Sequence, residues 1–170
     1  SPIGANGLLY LPYIMGERTP HLDADARGVF FGLSAIHQKR DLLRAVMEGV
    51  TFSLRDCLGV LQEMGVAVDS MAACGGGGSS AFWRQMLADV FACPVTTIDS
   101  KEGPALGVAL LAGVGAGFYN SVPEACDEVI GFAETCHPAE ANTAQYLKYY
   151  EAYQKLYPAL KDSFSQLRNI

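Results

Sequence analysis

The chain has 170 residues, of which 50% are hydrophobic and 18% are charged, and its formal net charge at pH 7 is −6. These values indicate a folded domain large enough to bury a core and exclude an intrinsically disordered chain. Because the charge is negative and no basic run occurs, we expect no nucleic-acid partner and no anionic membrane partner. No window reaches the roughly 20 apolar residues of a membrane span, and no signal peptide is recognisable, so we expect a cytoplasmic protein.

Cysteine and histidine usage predicts neither a disulfide framework nor a metal site. The cysteines are odd in number, form no C-x-x-C pair and lie mostly in apolar segments, which favours reduced, buried thiols. The histidines lie in turn-like sequence at spacings that match no metal-ligand pattern. The cysteines are Cys57, Cys74, Cys93, Cys126 and Cys136, and the histidines are His21, His37 and His137.

The beginning of the chain predicts extended structure around a charged loop. Residues 4–16 form an apolar stretch broken by a proline, which is typical of an extended edge or loop segment. Residues 16–28 are rich in turn formers and charges, and residues 29–33 predict a short strand. The loop charges either form an acid–base cluster or cap one another in a solvated loop, and their spacing favours the second interpretation. These side chains are Glu17, Arg18, His21, Asp23 and Asp25.

A long helix is predicted over residues 38–64, with Gly65 as its stop. Its apolar residues recur at helical spacing and should form a buried stripe that packs on a sheet. Arg44 and Glu48 are expected on or near the opposite face, and a kink is expected near Gly49. The stripe consists of Leu43, Val46, Val50, Leu54, Leu58 and Leu61.

Four successive glycines, Gly75–Gly78, stand between a predicted strand and a predicted helix. The strand covers residues 66–74 and should be central in its sheet, and the helix should end at Pro94. Because glycine has no Cβ, this turn can take positive φ and let a ligand approach the backbone closely. The helix start offers unpaired N–H groups to a polar or anionic ligand, and Ser79 or Ser80 can cap it. The buried stripe of this helix is Phe82, Met86, Leu87 and Val90.

The next segments alternate between strand and helix. Residues 95–98 predict a strand, residues 99–102 predict a polar turn, and Pro104 is suited to the first position of the helix that follows. Small residues keep that helix thin, so it can lie close to a neighbouring element. The arrangement of strand, glycine turn, helix and strand is typical of a nucleotide-binding α/β domain.

The last part of the chain predicts two helices. Ser121 and Glu124 form a capping-box pattern before a short helix, and residues 131–140 predict a linker. The final helix covers about residues 143–164, is interrupted near Pro158, and carries a tyrosine stripe that is typical of packing.

Four sequence blocks resemble, in order and spacing, the carboxy-terminal half of a sugar kinase of the FGGY carbohydrate kinase family. They are LPYIMGERTPHLDADARGVFFGL, RAVMEGVTFSLRDCL, GGGGSSAFWRQMLADVFACPV and EGPALGVALLAGVGAG. The similarity extends over about residues 8–157. Within the family it is greatest to the kinases that phosphorylate D-xylulose. Four ordered blocks are far more specific than a single glycine run.

The resemblance implies an α/β fold. It is the ribonuclease H-like, actin-like ATPase domain that forms the second domain of these kinases, with a mixed sheet flanked by helices. Residues 1–170 would be this nucleotide-binding domain, with a core at about 8–130 and a C-terminal helix at about 141–166. The hairpin that opens the domain is expected upstream of Ser1, so an unprotected sheet edge would be covered by a loop, a partner or a second copy in a homodimer.

The resemblance also implies a site for ATP or ADP. The glycines of the turn, Gly75, Gly76, Gly77 and Gly78, would run along the adenosine, and Ser80 falls where relatives often place a polar contact to adenine. Relatives often carry a basic residue where this chain has Ser79, so a charged contact from that position is lost. The turn over residues 102–107 would close the domain. In the family, the loop at residues 16–21 is largely structural.

The resemblance assigns no catalytic residue to this chain. Phosphoryl transfer requires positioning, Mg²⁺ and a base for the attacking hydroxyl. In the family, the catalytic Asp, the sugar site and most of the Mg²⁺ contacts belong to sequence upstream of Ser1. We therefore expect an ATP-dependent sugar kinase fragment, acting on D-xylulose, that cannot turn over alone.

Two other functions are weighed against the kinase. A Rossmann-type NAD-binding dehydrogenase domain would use the same glycine turn, with Asp99 as the acid about twenty residues on. Ser80 argues against it, because glycine is needed there for close helix–strand packing. A non-catalytic, self-associating module would use the tyrosine stripe and the apolar residues 8–15 as sticky surfaces. The four linked blocks argue against this as the native role.

Overall fold

The computed structural model describes residues 1–99 and 103–168, which fall into two compact units. Unit 1 comprises Ser1–Val68, Asp89–Ala92 and Pro138–Ile170, and unit 2 comprises Asp69–Ala88 and Cys93–His137. Within the described ranges, every helix is too short or too polar to cross a bilayer. The predicted turn over residues 99–102 and the first residue of the 102–107 turn lie largely outside the described residues.

Seven α-helices, one 3₁₀ helix (Ala5–Gly7) and five strands are assigned in the described part of the chain. The helices are α1 (Lys39–Glu63), α2 (Gly75–Ser79), α3 (Ala81–Phe91), α4 (Pro104–Gly115), α5 (Val122–Val129), α6 (Glu140–Gln154) and α7 (Leu156–Arg168). The strands are β1 (Leu9–Leu11), β2 (Val29–Phe31), β3 (Met71–Ala73), β4 (Val95–Ile98) and β5 (Phe132–Cys136).

Unit 1 is built around α1 and a small antiparallel sheet. In that sheet β1 pairs with β2, with Tyr10 opposite Phe30, and all three residues of β1 are buried. The apolar residues Leu8 and Tyr10 pack with Ala45 of α1. Within residues 4–16, predicted to be an extended edge or loop, Leu9–Leu11 form a buried strand that packs on the long helix.

The predicted buried face of α1 is wrong in part. Leu43 is 58% exposed, whereas Glu48, expected on the polar face, is 1% exposed. One carboxylate oxygen of Glu48 accepts from the Gly4 amide at 3.0 Å and from Arg44 Nε at 2.7 Å. The buried face of α1 therefore depends on a partner of Glu48, the Gly4 amide, that is distant in sequence. The spacing of apolar residues within the helix does not reveal such a partner. The helix runs without a break through Gly49, so the expected kink is absent.

The C-terminal helix is two helices. The break comes at Lys155, and Pro158 lies in the first turn of α7, where its missing N–H leaves no bond unmade. The tyrosine stripe is packing, as predicted, because Tyr146, Tyr150 and Tyr153 all have ring contacts with Phe52 of α1.

Unit 2 contains a mixed sheet in the order β3-β4-β5. Strand β3 pairs parallel to β4, and β4 pairs antiparallel to β5. Two predictions are corrected. In this sheet β4, not β3, is central, and residues 131–140, predicted to be a linker, contain β5. The mixed character of the sheet and the bounds of β4 are confirmed.

The thiols are less buried than predicted. All five cysteines are free, but only Cys93 is buried, while Cys74 is exposed and the other three are half-buried.

Candidate functional site

The glycine run forms a short helix and not an open turn. Residues Gly75–Ser79 make α2, which begins directly after Cys74 at the end of β3. Within the run only Gly75 has a positive φ, of 68°. The Ser79 hydroxyl donates to the Gly75 carbonyl at 3.1 Å. A helix of five residues with four glycines has little stability of its own, so the surrounding contacts must impose it.

The four glycines have different structural roles. A Cβ at Gly78 would lie 2.5 Å from the Ala73 carbonyl oxygen, so this glycine allows α2 to fold back on β3. A Cβ at Gly77 would contact the Trp83 ring at 3.5 Å. A Cβ at Gly75 or Gly76 would meet nothing within 4 Å. The backbone is therefore open to a ligand at Gly75 and Gly76 and closed at Gly78.

An open cavity of about 450 Å³ lies beside the exposed end of α2. It is formed by the end of β3, the start of α2 and the end of β4. Its lining residues are Cys74, Gly75, Gly76, Ser79, Thr97, Ile98 and Asp99. Of the predicted contacts, Gly75 and Gly76 therefore line the cavity, and Gly77, Gly78 and Ser80 do not.

Ser80 is a helix cap in this structure. Its hydroxyl accepts from the Trp83 amide at 3.3 Å, in the first turn of α3. The capping role predicted for Ser79 or Ser80 is thus confirmed for Ser80. The polar contact to adenine that the resemblance implies for this residue remains a prediction.

The cavity offers a carboxylate, hydroxyls, a thiol and bare backbone. Asp99 is exposed at the end of β4, where its amide donates to the Gly131 carbonyl at 2.7 Å. The described lining residues include no lysine, arginine or histidine. Hydroxyls, a carboxylate and bare backbone can contact the ribose and base of a nucleoside.

A buried arginine donates a hydrogen bond to the end of α2, and it was not predicted from the sequence. Arg84 of α3 is 3% exposed and donates from one terminal nitrogen to the Gly78 carbonyl at 2.6 Å. Its other terminal nitrogen pairs with the Glu134 carboxylate of β5. The available signal was an arginine three and four residues before Leu87 and Ala88, which places it on the same side of α3 as these buried residues.

The charged side chains of the loop at residues 16–28 are capped by backbone amides and by the C-terminal helix, and not by one another as predicted. The Glu17 carboxylate accepts from the amides of Thr19 at 2.6 Å and His21 at 2.8 Å. The His21 ring stacks on Tyr157 with centroids 3.7 Å apart, and Tyr157 donates to Asp23. These groups are engaged in structural contacts, so the alternative of an acid–base cluster is not supported.

Unit 1 contains a second, smaller cavity of about 230 Å³ between the loop, α1 and α6. Burial raises the pKa of Asp56 there, partly offset by the Tyr150 hydroxyl, which donates to it at 2.6 Å. Gln154 donates in turn to the Tyr150 oxygen at 3.0 Å. The polar groups that face this cavity thus largely bond one another.

Comparison with known proteins identifies the family. The sequence model that matches residues 2–116 is described as the C-terminal domain of the FGGY family of carbohydrate kinases. This chain belongs to that family. The ribonuclease H-like, actin-like ATPase fold predicted for it is confirmed by solved sugar kinases that superimpose on it closely.

Individual FGGY relatives are similar over nearly the whole chain. A xylulose kinase from Bacillus subtilis (strain 168) is 39% identical over 168 residues, which is 99% of this chain and 34% of the relative. A ligand-bound xylulose kinase from Lactobacillus acidophilus superimposes with a TM-score of 0.89 at 32% identity, over 98% of this chain and 34% of that chain. A gluconate kinase from the same species gives a TM-score of 0.88 at 32% identity, with the same coverage. The chain thus spans about a third of the length of these relatives.

No metal centre is evident in the described ranges. Among residues 1–99 and 103–168, no group of three or more His, Cys, Asp or Glu side chains is placed to hold a metal ion. The bare backbone at Gly75 and Gly76 leaves room for a nucleoside.

Proposed function

We propose that residues 1–170 are the nucleotide-binding domain of an ATP-dependent sugar kinase. The main support is the open backbone at Gly75 and Gly76 beside a cavity of about 450 Å³. A flat adenine can approach a backbone that carries no Cβ. In this proposal Gly77, Gly78 and Ser80 shape the platform, and Gly75 and Gly76 contact the adenosine of ATP or ADP.

The sugar we propose is D-xylulose, phosphorylated to D-xylulose 5-phosphate. The support is the names of similar proteins, which include the xylulose kinases of Bacillus subtilis and Lactobacillus acidophilus. The similar gluconate kinase of Lactobacillus acidophilus makes gluconate the second candidate. No residue of this chain is assigned to sugar recognition, so the choice rests on overall similarity.

This chain's part in the reaction is to bind and orient the nucleotide. ATP, when bound, supplies the γ-phosphoryl group, and Mg²⁺ and a base for the sugar hydroxyl complete the requirements. We propose that those two functions, and the sugar site, belong to the other domain of a two-domain kinase. The chain alone then has no turnover with ATP, Mg²⁺ and D-xylulose, which a coupled ADP-release assay measures.

Calorimetric titration of the chain with ADP and with NADH tests the nucleotide proposal. We expect ADP and adenosine to bind competitively, since the contact is to the adenosine, and NADH to bind no more tightly than adenosine. NADH binding much tighter than that of ADP would favour a dehydrogenase domain instead, because such a site also contacts the nicotinamide half.

A chimera tests the kinase assignment separately. In it, this chain replaces the matching third of the Bacillus subtilis xylulose kinase. We expect ATP-dependent turnover of D-xylulose, because the remaining two thirds supply the sugar site. A folded chimera that binds D-xylulose but has no ATP-dependent turnover would contradict the proposal.

A further inference from the structure

The buried guanidinium of Arg84 is the unexpected polar group of unit 2. A charged side chain that is 3% exposed loses most of its hydration, and hydrogen bonds inside the protein must offset that loss. Both terminal nitrogens of Arg84 have such partners, whereas its buried Nε has none among the described residues. Helix α3 could anchor itself through Met86 and Leu87 alone, which are also buried. The position of Arg84 therefore requires a reason beyond the packing of α3.

The contacts of Arg84 converge on the end of α2. One terminal nitrogen donates to the Gly78 carbonyl at 2.6 Å, and the other forms an ion pair with Glu134 of β5. The last carbonyls of a helix have no partner within it, and a cation is favourable beside them. Arg84 thus caps α2 and ties it to the sheet.

Such a cap matters more for α2 than for an ordinary helix. Each glycine costs about 1 kcal/mol relative to alanine in a helix, and a single turn is unstable in isolation. Gly78, where the backbone is closed to a ligand, packs against the Ala73 carbonyl. The bond from Arg84 fixes the carbonyl of the same glycine, so the conformation of Gly75 and Gly76 depends on it.

We propose that Arg84, oriented by Glu134, is a positioning residue that holds α2 in the conformation that receives adenosine. This inference rests on the proposed function, because it concerns the same nucleotide site. It also gives β5 a role, since β5 carries Glu134. Because the Glu134 side chain is 74% exposed, its ion pair is screened by solvent, and the Gly78 contact contributes most.

The test compares Arg84→Met, Arg84→Lys and Glu134→Gln in the 170-residue chain, by ADP calorimetry and by amide hydrogen exchange. Arg84→Met should weaken ADP binding about 10- to 100-fold, the factor expected when a hydrogen bond to a charged group is lost. Amides of residues 76–80 should exchange at least about tenfold faster, because local opening becomes easier. The ADP affinity of Arg84→Lys should lie between those of the unmodified chain and Arg84→Met. Glu134→Gln should weaken ADP binding about threefold or less.

Arg44→Met is the matched control, because Arg44 is another largely buried arginine with a carboxylate partner, in unit 1. It should lower the thermal midpoint and leave the ADP affinity unchanged. If Arg84→Met does not fold, ADP affinity and amide hydrogen exchange are measured on Arg84→Lys and Glu134→Gln instead.

Four outcomes separate the possibilities. Weaker ADP binding with faster exchange confined to α2 supports the inference. Unchanged ADP binding in Arg84→Met overturns it while the proposed function stands. Faster exchange throughout unit 2 assigns Arg84 a general structural role and also overturns it. Failure of the unmodified chain to bind ADP overturns the proposed function and the inference together.

Discussion

Helix α1 lies against strand β1 so closely that Gly49 faces the carbonyl of Tyr10. A Cβ added at Gly49 would lie 2.1 Å from the Tyr10 oxygen, well inside van der Waals contact. The glycine therefore lets helix and strand approach each other, and it explains a mid-helix glycine that causes no kink.

Gly49→Ala should destabilise the chain by about 1–3 kcal/mol, the usual range for overpacking a well-packed site. Urea unfolding followed by far-UV circular dichroism measures this change. Gly59→Ala is the control in the same helix, because a Cβ there meets nothing within 4 Å. It should stabilise by about 0.5–1 kcal/mol through helix propensity. Equal changes in the free energy of unfolding for the two substitutions would show that the backbone near Tyr10 can move to accommodate the added methyl group.

The elements that sequence reasoning placed well have strong local signals. Pro94 and Pro104 bound β4 and α4, and proline acts through its own ring, so its effect is readable from the sequence. Strand β5 was missed because its residues Phe132–Thr135 are all exposed, which leaves no alternation of buried and exposed positions to detect. Glu48 was misplaced because its partner, the Gly4 amide, is distant in sequence.

The position of the candidate site at the glycine run was predictable from the sequence, but the role of each glycine was not. A run of glycines between strand and helix indicates close backbone approach, but it does not say what approaches each glycine. The structure shows that Gly78 faces the chain's own Ala73, while Gly76 faces open space. Arg84 could not be assigned from the sequence, because its partner Glu134 belongs to the strand that was missed.

Gly76→Ala and Gly78→Ala should have different effects on stability. Gly76 has space around it, so alanine should leave stability unchanged or slightly higher, and it should weaken ADP binding about tenfold or more by obstructing the adenosine. Gly78→Ala should lower stability by about 1–3 kcal/mol, because its Cβ would clash with the Ala73 carbonyl. Thermal melts and ADP calorimetry on both variants provide the measurements. Full ADP affinity in Gly76→Ala would argue against nucleotide contact at this residue.

The carboxylate of Asp41 should make stability depend on pH at acidic values. Its pKa is lowered mainly because the Gln38 amide donates to it at 2.8 Å, with further bonds from Ser1 and Asn6. A pKa lower in the folded than in the unfolded chain contributes stability above the unfolded value, about 3.9, and this contribution is lost as the pH falls through the folded value.

Asp41→Asn should therefore lower the thermal midpoint at pH 7, and the difference from the unmodified chain should shrink below about pH 4. Thermal melts between pH 7 and pH 2 measure it. The control is Asp127→Asn in α5, an exposed aspartate, whose substitution should change little at any pH. A difference for Asp41→Asn that stays constant across the range would mean that its effect is not due to ionisation.

The thiol of Cys74 should report directly on the nucleotide site, because Cys74 is exposed and lines the cavity with Gly75 and Gly76. Iodoacetamide should alkylate it faster than Cys93, which is buried and whose pKa burial raises, so that less of the reactive thiolate forms.

ADP at ten times its dissociation constant should slow the labelling of Cys74 about tenfold, since only the free chain reacts. Mass spectrometry of peptides measures both rates, and Cys136, outside the cavity lining, is the internal control for general stabilisation. Labelling of Cys74 that stays equally fast when calorimetry shows ADP to be bound would place the nucleotide elsewhere on the chain.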